Sequence, residues 1–431
     1  MTESHNIRIQ VPVLARVEGE GGLEFAVRDG QVEELRLSIY EPPRLFEKFL
    51  EGREYHEVPD MVARICGICP VAYQMSAVHA LEQVFGVDPG AHIRLWRRLF
   101  YCGEWIQSHA LHIHLLAAPD FTGFDSVTAM AREYPHEVRR GLALQALGND
   151  IIALLGGRSV HPVGACVGGF HRLPALEECR ALLERLQAAR EQAQALVRWC
   201  ASLPVPQREQ SFCSVALRHP DEYPLNEGRL ASSEGLDIAI EDYEQHFEEF
   251  QVPYSTALHA SLHGQDYLVG PLARLNLNLD RLPASVRRLV DDTGIAFPSA
   301  NMFHSMVARA VEILYCVEEA IRILERQPPL EPAAVPVLPR AGTGYGCTEA
   351  PRGLLWHRYV LAADGTIEAA RIVPPTSQNQ ARIEADLRTS LQDFGLERDE
   401  AELRLHAETV IRNYDPCISC ATHFLRLRVR R

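Results

Sequence analysis

AHIRLWRRLFYCGEWIQSHALHIHLLA, residues 91–117, repeats its apolar side chains at the 3.6-residue period of an α-helix. The same periodicity returns in three later stretches, residues 136–156, 173–203 and 303–326. Because each such helix is apolar along one face only, it must bury that face against another element. Four long helices of this kind predict a central helical bundle.

Both ends of the chain have the alternating pattern of β-strands. The first 40 residues alternate between apolar and polar side chains, and Asp29-Gly30 is a typical hairpin turn. Residues 353–374 return to strand character around a second turn, Asp364-Gly365, before a predicted helix over residues 378–394. The expected fold class is α+β and mainly α, with a central bundle of long helices and small antiparallel sheets from the N-terminal and C-terminal regions.

No linker or internal repeat divides the chain. We therefore expect residues 1–431 to form a single interlocked catalytic unit instead of a string of domains. The regions within it are an N-terminal sheet region (1–60), the helical bundle (61–203 and 300–327), a mixed insertion (204–299), a C-terminal sheet and metal-binding end (340–423) and a short tail (424–431).

Composition and charge exclude several classes of function. Hydrophobic residues make up 47% and charged residues 23%, which is typical of a globular protein. The formal net charge of −14 repels phosphate backbones and anionic lipids, so neither nucleic acid nor a membrane is an expected partner. No apolar run of about 18 residues and no secretory leader is evident. We expect a soluble cytoplasmic protein, and its odd number of cysteines, 11, indicates reduced thiols.

Two cysteine pairs are the strongest sign of a metal site. Cys66 and Cys69 stand in ARICGICP, and Cys417 and Cys420 stand in DPCISCATH. Each C-x-x-C brings two sulfurs to one soft metal, and four thiolates suit zinc, an iron-sulfur cluster, or a nickel or copper centre. Zinc modules usually hold both pairs within about 20 residues, whereas about 350 residues separate these pairs. One metal bound by all four would join the two ends of the chain.

Both cysteine motifs carry matching residues beyond the cysteines. RICGIC at residues 64–69 and DPCISCATH at residues 415–423 resemble the paired signature of nickel-iron hydrogenase large subunits. The resemblance continues in ARVEGEGG (15–22), RLFEKFLEGRE (44–54), SHALHIHLLAAPD (108–120), GGRSVHPVGACVGGF (156–170) and APRGLLWH (350–357). These motifs are more similar to the cytoplasmic, NAD(P)-linked branch, which includes the sulfhydrogenases, than to the exported membrane-bound branch.

The resemblance implies the hydrogenase large-subunit fold, a metal centre and a second ion site. In the family, nickel is bound by all four cysteines, which here are Cys66, Cys69, Cys417 and Cys420. The second cysteine of each pair, Cys69 and Cys420, would also bridge to an iron that carries carbon monoxide and cyanide. Magnesium or a similar ion would be bound by Glu47, the backbone carbonyl of Ile372 and His423.

The resemblance also implies residues for the chemistry. Dihydrogen is a very weak acid, so the centre must polarise it while a nearby base takes the proton. The candidate bases are Cys417 and Arg352, although arginine normally stays protonated. Glu18 matches the family's proton relay from the thiolate outward. Three further residues surround the open side of the centre in the family, two of them carboxylates that orient the arginine: Pro351, Asp120 and Asp415.

Electrons have to leave through partner subunits. Nothing in the chain resembles an iron-sulfur or flavin site, and no G-x-G-x-x-G follows a strand. The resemblance implies an iron-sulfur small subunit, partners that carry FAD, NAD(P) and further iron-sulfur clusters, and maturation chaperones with a C-terminal endopeptidase. Cleavage after His423 would remove FLRLRVRR, residues 424–431. The predicted function is the reversible splitting of dihydrogen into protons and electrons that pass to or from NAD(P).

Two other functions remain open. A hydrogen sensor of the same superfamily would keep the metal site, and a zinc-stabilised structural protein would use the cysteines only as a staple. Without their motifs, Glu18 is typical of an exposed strand end, Asp120 of a helix cap and Arg352 of a surface turn. Three histidines of one helix are interpreted as core or interface groups because no carboxylate partner is evident: His109, His112 and His114.

Overall fold

A computed structural model describes residues 7–326 and 332–422. The helices of these residues are α1 (Phe46–Leu50), α2 (Val58–Val62), α3 (Pro70–Phe85), α4 (Gly90–Leu111), α5 (Ala118–Thr122), α6 (Val127–Glu133), α7 (Pro135–Gly156), α8 (Leu176–Ser202), α9 (Tyr243–His246), α10 (Pro271–Asn278), α11 (Ala284–Asp292), α12 (Ser305–Glu325), α13 (Pro375–Phe394), α14 (Glu400–Tyr414) and α15 (Ile418–Ala421). A π-helical turn, His112–Ala117, continues α4, and short 3₁₀ turns occupy Ile240–Asp242, Leu279–Arg281 and Met302–His304.

The described strands pair in small antiparallel sheets. They are β1 (Ile7–Val11), β2 (Gly21–Arg28), β3 (Gln31–Ile39), β4 (Ala165–Cys166), β5 (Gly169–Phe170), β6 (Val215–Arg218), β7 (Arg229–Ser232), β8 (Asp237–Ile238), β9 (Phe247–Gln251), β10 (Leu258–Leu262), β11 (Gly342–Ala350), β12 (Gly353–Leu361) and β13 (Ile367–Val373). The sheet orders are β1-β2-β3, β4-β5, β6-β7-β8, β10-β9 and β11-β12-β13. The predicted fold class, mainly helical with small antiparallel sheets, is confirmed.

The four predicted long helices form the centre of the molecule. Helix α4 packs against α7 and α12, and α12 packs against α8. Two glycines allow the backbones of α4 and α7 to approach closely: a Cβ on Gly148 would lie 2.5 Å from the amide nitrogen of Gln107, and a Cβ on Gly103 would lie 2.9 Å from the carbonyl oxygen of Gly148. The bundle is therefore held by close backbone contact as well as by apolar side chains.

The first long helix contains a feature that its periodicity did not predict. After Leu111 the α-helix gives way to the π-helical turn, where His114 packs against Gly141 of α7. A Cβ on Gly141 would lie 2.3 Å from Cγ of His114, so only glycine leaves room for this ring. Such single π-turns often occur near functional sites, because they redirect the side chains that follow. Here the turn leads directly into the segment that carries Asp120.

The N-terminal hairpin has the predicted turn, while the C-terminal hairpin has a longer connection. Asp29 and Gly30 both have positive φ, 51° and 75°, which matches the type I′ turn of a two-residue hairpin. In the C-terminal sheet β12 and β13 are joined by residues 362–366, in which Gly365 has φ 87°. The Asp-Gly pair thus marks the position of the second turn but not its length.

Strand β11 was not predicted, because its glycines weaken the strand pattern. Those glycines face helix α3: a Cβ on Gly346 would lie 1.9 Å from the carbonyl oxygen of Ser76, and one on Gly344 would lie 2.1 Å from that of Ala80. Helix α3 begins at Pro70, directly after the first cysteine pair. The glycines of β11 therefore allow α3 to pack closely against this strand, next to the candidate metal ligands.

We expect Gly346→Ala to destabilise the protein by at least about 1–3 kcal/mol, because the added methyl group overlaps a backbone atom that cannot rotate away. The midpoint of thermal unfolding reports this loss. Thr343→Ala is the control, because Thr343 is exposed on the same strand. If both variants unfold at the wild-type temperature, the close approach of β11 to α3 is wrong.

The mixed insertion packs against the C-terminal sheet. Its buried side chains, among them Val215, Leu217 and Tyr267, form one apolar cluster with Leu354 and Trp356 of β12. Among the helices of residues 7–326 and 332–422, none is long and apolar enough to cross a bilayer.

Candidate metal centre

The four cysteines of the two pairs lie together in the interior. All four sulfur atoms lie within 4.8 Å of one another. The Sγ–Sγ distances are 3.4 Å between Cys66 and Cys417, 3.6 Å between Cys69 and Cys420, and 2.7 Å between Cys417 and Cys420. At most 3% of any of these residues is exposed, so the cluster is closed to bulk solvent.

This donor set suits a soft metal. Four thiolates bound to one tetrahedral ion at about 2.3 Å lie about 3.8 Å apart, which is near the two longer Sγ–Sγ distances. The shortest distance exceeds the roughly 2.05 Å of a disulfide, and all four cysteines are free thiols. Burial raises the pKa of the Cys417 thiol, whereas hydrogen bonding, first from Cys417, lowers the pKa of Cys66. Metals bind cysteine as the thiolate, so binding of a cation here would displace the remaining thiol protons of the cluster.

The first cysteine pair is positioned by helix α3. Cys69 precedes the helix and Pro70 is its first residue, a position where the missing N–H of proline costs nothing. Glu104 of α4 accepts hydrogen bonds from the next two amides, Val71 at 2.6 Å and Ala72 at 3.1 Å. A buried carboxylate from the bundle thus caps the helix that carries the pair.

The second pair is held against the N-terminal segment. The Ile418 amide donates to the carbonyl of Glu18 at 3.0 Å, and the Cys417 amide donates to the hydroxyl of Thr376 at 3.0 Å. Just before the pair, Asp415 adopts a left-handed conformation with φ 58°, which ends helix α14 and turns the chain inward. Contacts with residues far away in the sequence therefore fix the position of the second cysteine pair, which the cysteine spacing alone does not define.

Arg44 ties the two cysteine-bearing segments to each other. Its guanidinium donates to the carbonyl of Ile65 at 2.6 Å and also to the carbonyl of Ser419. Its backbone amide donates to the carbonyl of Thr422 at 2.6 Å. Sequence reasoning assigned no role to this residue, although it opens the matched motif RLFEKFLEGRE, because an arginine at that place in the chain cannot be distinguished from a surface charge without its partners.

Arg352 is buried beside the cysteines and pairs with Asp415. It is 2% exposed, donates from Nε to the Asp415 carbonyl at 2.8 Å and from Nη2 to Oδ1 at 3.0 Å. Its Nη1 is buried without a hydrogen-bond partner among the described residues, so it can donate to a group in the cluster. Burial opposes the charged form, but the Asp415 carboxylate and, after it, Cys417 raise the pKa of Arg352. The surface-turn alternative does not apply, since this guanidinium is an interior cation.

Asp120 has partners other than those expected. Its carboxylate pairs with Arg16 and accepts from Arg412 Nε at 2.7 Å and Nη2 at 3.0 Å. Among the described residues it has no hydrogen bond or ion pair with Arg352, so the expected direct orientation of Arg352 by Asp120 is corrected. The reason is packing: Arg16 reaches this carboxylate from the segment before β2, where it also donates to the Leu116 carbonyl of the π-helical turn at 2.7 Å, and Arg412 reaches it from α14. Asp120 is also not a helix cap, because it lies inside the first turn of α5.

Glu18 lies next to the second cysteine pair. Its Oε2 accepts from the Ser419 amide at 3.0 Å, and Cys66 and Cys417 lie close enough to influence its charge. Burial is the main cause that raises the pKa of Glu18 above its usual value of 4.5. The Ser419 hydroxyl also donates to Glu41, a half-exposed carboxylate, at 3.2 Å. Hydrogen-bonding groups therefore lead from the cysteines toward solvent.

The expected magnesium ligands are described in part. The Ile372 amide donates to Oε1 of Glu47 at 2.7 Å, so these two residues are neighbours. His423 and residues 424–431 lie outside the described residues. Pro351 is buried directly before Arg352.

Sequence reasoning missed a buried charged cluster behind the arginine loop. Its members are fully buried: His109, Arg274, Glu312 and Glu349. His109 Nε2 lies 2.8 Å from Glu312 Oε2, which is the carboxylate partner that sequence analysis did not find. The available signal was Glu312, the one charged residue within the apolar run 310–317, because a charge on a buried helix face needs a buried partner.

The comparisons with known proteins agree over nearly the whole chain. A family model described as nickel-dependent hydrogenase matches residues 44–139 and 227–423. Sulfhydrogenase 1 subunit alpha of Pyrococcus furiosus is 33% identical, over 97% of this chain and 98% of that protein. Subunit beta of the NAD-reducing hydrogenase HoxS of Cupriavidus necator is 29% identical, over 97% and 95% of the two chains. A crystal structure of an NAD+-reducing [NiFe]-hydrogenase in the H2-reduced state matches with a TM-score of 0.87 and 30% identity, over 97% and 99% of the two chains.

Proposed function

The chain belongs to the nickel-dependent hydrogenases, and from this premise we propose that it is the catalytic subunit of a soluble, NAD(P)-linked enzyme of the cytoplasm. It would split dihydrogen reversibly into protons and electrons. The observation that carries the proposal is the set of four buried sulfurs within 4.8 Å, with the Arg352 guanidinium and the Glu18 carboxylate beside it.

Four thiolates are the ligands that this centre requires. Cys66, Cys69, Cys417 and Cys420 would hold nickel, and Cys69 and Cys420 would share the iron with its carbon monoxide and cyanide. Such a centre supplies the Lewis acidity that polarises dihydrogen for heterolytic cleavage. The magnesium site would use Glu47, the Ile372 carbonyl and His423, and the short contact between Glu47 and Ile372 supports the first two.

The residues around the cysteines would have different roles in moving the proton. Cys417 would accept the proton, and Glu18 would take it from the thiol, because its carboxylate is held against the Cys417 segment by the Ser419 amide. Arg352 acts as a fixed cation and donor and not as the base, since Asp415 and the thiolates raise its pKa. Its side chain is held by the hydrogen bond to Asp415, and because both residues are buried, water does not compete for this bond. Pro351 would line the same side, and Asp120 would act indirectly, through Arg412.

Electron transfer and assembly need partners of defined chemistry. An iron-sulfur small subunit would take the electrons, and subunits with FAD and further iron-sulfur clusters would exchange them with NAD(P). Two relatives support this arrangement, since their names mark them as single subunits of a sulfhydrogenase and of an NAD-reducing hydrogenase. Maturation chaperones would load the metals, and an endopeptidase would remove residues 424–431 after His423.

Metal analysis and infrared spectroscopy of the purified protein test the proposal. We expect nickel and iron in equal amounts and infrared bands from carbon monoxide and cyanide bound to iron, because the chain belongs to the nickel-dependent hydrogenases and carries all four cysteines. The intact mass of the same sample should lack residues 424–431. Zinc alone, without these bands, would show that the cysteines form a structural site.

Turnover separates an enzyme from a hydrogen sensor. A sensor would carry the same metals and the same infrared bands but reduce an artificial electron acceptor with dihydrogen only slowly. Sustained reduction at rates typical of enzymes, about 1–10³ per second, supports the catalytic function.

A further inference from the structure

The guanidinium of Arg274 lies behind the loop that carries Arg352 and has no exposure to solvent. Its Nε and Nη2 donate to the two carboxylate oxygens of Glu312, each at 2.8 Å. Its Nη1 donates to Glu349 at 3.0 Å and to the Ala350 carbonyl at 2.8 Å, and its Nη2 also donates to the Pro351 carbonyl at 2.9 Å. Every nitrogen of this guanidinium therefore has a partner.

Two of these bonds fix the backbone directly before Arg352. The carbonyls of Ala350 and Pro351 are the last two before the arginine, so their orientation sets the direction in which its side chain leaves the chain. Gly270, which precedes helix α10, reinforces this contact: it has φ 116°, and a Cβ there would lie 2.9 Å from the Arg352 carbonyl. The helix that carries Arg274 is thus pressed against the arginine loop.

The charges of the cluster are balanced around Arg274. Burial alone would raise the pKa of Glu312, but the attraction of Arg274 lowers it to about 2. Burial raises the pKa of Glu349 to about 7, with Arg274 opposing the shift, and burial lowers the pKa of His109 to about 4. At neutral pH Arg274 and Glu312 form a buried ion pair, and the ring of Trp105, 4.2 Å from the guanidinium carbon, shields it.

Helix α12, which carries Glu312, also supports the segment that contains Asp415, the partner of Arg352. From this helix, Arg309 donates to the Tyr414 carbonyl at 3.3 Å, and Ser305 donates to the side chain of Asn413 at 2.9 Å. These are the two residues before Asp415. Helix α12 therefore reaches the loop with the carboxylate directly, through Ser305 and Arg309, and the loop with the arginine through the pair of Glu312 and Arg274.

We propose that Arg274 is a positioning residue for the reaction: through the carbonyls of Ala350 and Pro351 it fixes the side chain of Arg352 relative to the cysteines. This inference rests on the proposed function, because the position of Arg352 matters only if a reacting centre is bound there. The alternative is a purely structural role, in which the ion pair of Arg274 and Glu312 only stabilises the core.

Lysine is the substitution that separates these roles. It keeps the positive charge that Glu312 needs, but its single nitrogen offers three donors from one point and cannot hold a carboxylate at two atoms together with both carbonyls. In Arg274→Lys the loop should lose at least one of its two anchors while the buried charge stays paired. Misplacement of a reacting-site group by about 1 Å costs about a hundredfold in rate.

The matched control is Arg97→Lys. Arg97 is also buried, 2% exposed, and donates to both carboxylate oxygens of Glu82 at 2.8 and 2.6 Å, but it holds no residue of the arginine loop. Both variants are purified with their partner subunits and compared with wild type. The measurements are nickel and iron content, the infrared bands of carbon monoxide and cyanide, thermal unfolding, and dihydrogen-dependent reduction of an artificial acceptor.

We expect the two variants to lose similar stability but to differ at the centre. Arg274→Lys should turn over about ten- to a hundredfold more slowly per bound nickel than Arg97→Lys and should shift the infrared bands, which Arg97→Lys leaves at the wild-type positions. Equal turnover and unshifted bands in Arg274→Lys overturn the inference and leave the proposed function intact. A wild-type protein without these bands overturns both.

A second variant covers the case in which Arg274→Lys does not fold. Glu349→Gln keeps the side-chain shape and an oxygen for the Leu217 amide, which donates to Glu349 at 2.7 Å, but it removes one acceptor of Arg274. We expect a smaller slowing and a smaller shift of the same infrared bands. If Glu349→Gln folds with wild-type bands and wild-type turnover, the inference is overturned by this route as well.

Discussion

Replacing Cys417 by serine is expected to abolish dihydrogen turnover and to remove most of the nickel. A serine hydroxyl is a hard and weakly acidic donor, whereas the site offers four soft thiolates that depend on one another. Loss of an outer-shell contact alone costs about 10–100-fold in metal affinity, so loss of a ligand should cost more than about a hundredfold. Nickel content of the purified variant and its turnover measure this.

The control for this prediction is Cys200→Ser. Cys200 is also buried, 1% exposed, but stands at the end of α8 outside the cysteine cluster. The variant should keep its nickel and its turnover per folded molecule, although burying a hydroxyl without a partner costs some stability. Equal nickel content in the two serine variants would contradict the assignment of Cys417 as a ligand.

Replacing Glu18 by glutamine is expected to slow turnover by about 10²–10⁴-fold and to leave the metals in place. Glutamine has almost the same shape and can still accept the Ser419 amide, but it cannot take up a proton from Cys417. Nickel, iron and the infrared bands should therefore remain as in the wild type, while dihydrogen-dependent reduction of an artificial acceptor falls.

Glu20→Gln is the matched control for Glu18→Gln. Glu20 stands two residues further along the same segment, and its side chain is exposed. Its loss of charge should change turnover less than about twofold, since exposed charges contribute little. If Glu18→Gln turns over as fast as Glu20→Gln, the proton leaves the cysteines by another route. If it loses its metals instead, Glu18 has a structural role at the Cys417 segment.

The elements that the sequence predicted well are those with strong local patterns. The four long helices begin and end within a few residues of their expected bounds, because a long amphipathic helix repeats its signal over many turns. Strand β11 was not predicted, and α3 was predicted only as part of the bundle region 61–203, without bounds of its own. The glycines of β11 make sense only against the backbone of α3, and α3 is buried nearly all round, so neither shows a clear period.

The site shows the same division. Its cysteines were predicted from their spacing and motifs, and the structure brings their sulfurs within 4.8 Å. The partner of Asp120 could not be predicted, because three arginines, Arg16, Arg352 and Arg412, compete for it and only packing decides among them. Arg274 lies in no quoted motif and Arg44 lies in one that assigned it no role, so their roles follow only from the carbonyls that they reach.

The sequence by itself determined the chemistry of this protein: the ligand types, the helical class of its centre and the family to which it belongs. These properties depend on residue types and on short spacings along the chain, which can be read from the sequence without the fold. Only the tertiary structure decided how the two cysteine pairs meet, which carboxylate holds Arg352 and what supports the loop behind it. The physical reason is that hydrogen bonds and ion pairs depend on distances of about 3 Å between residues that stand hundreds of positions apart, and only the packed fold sets those distances.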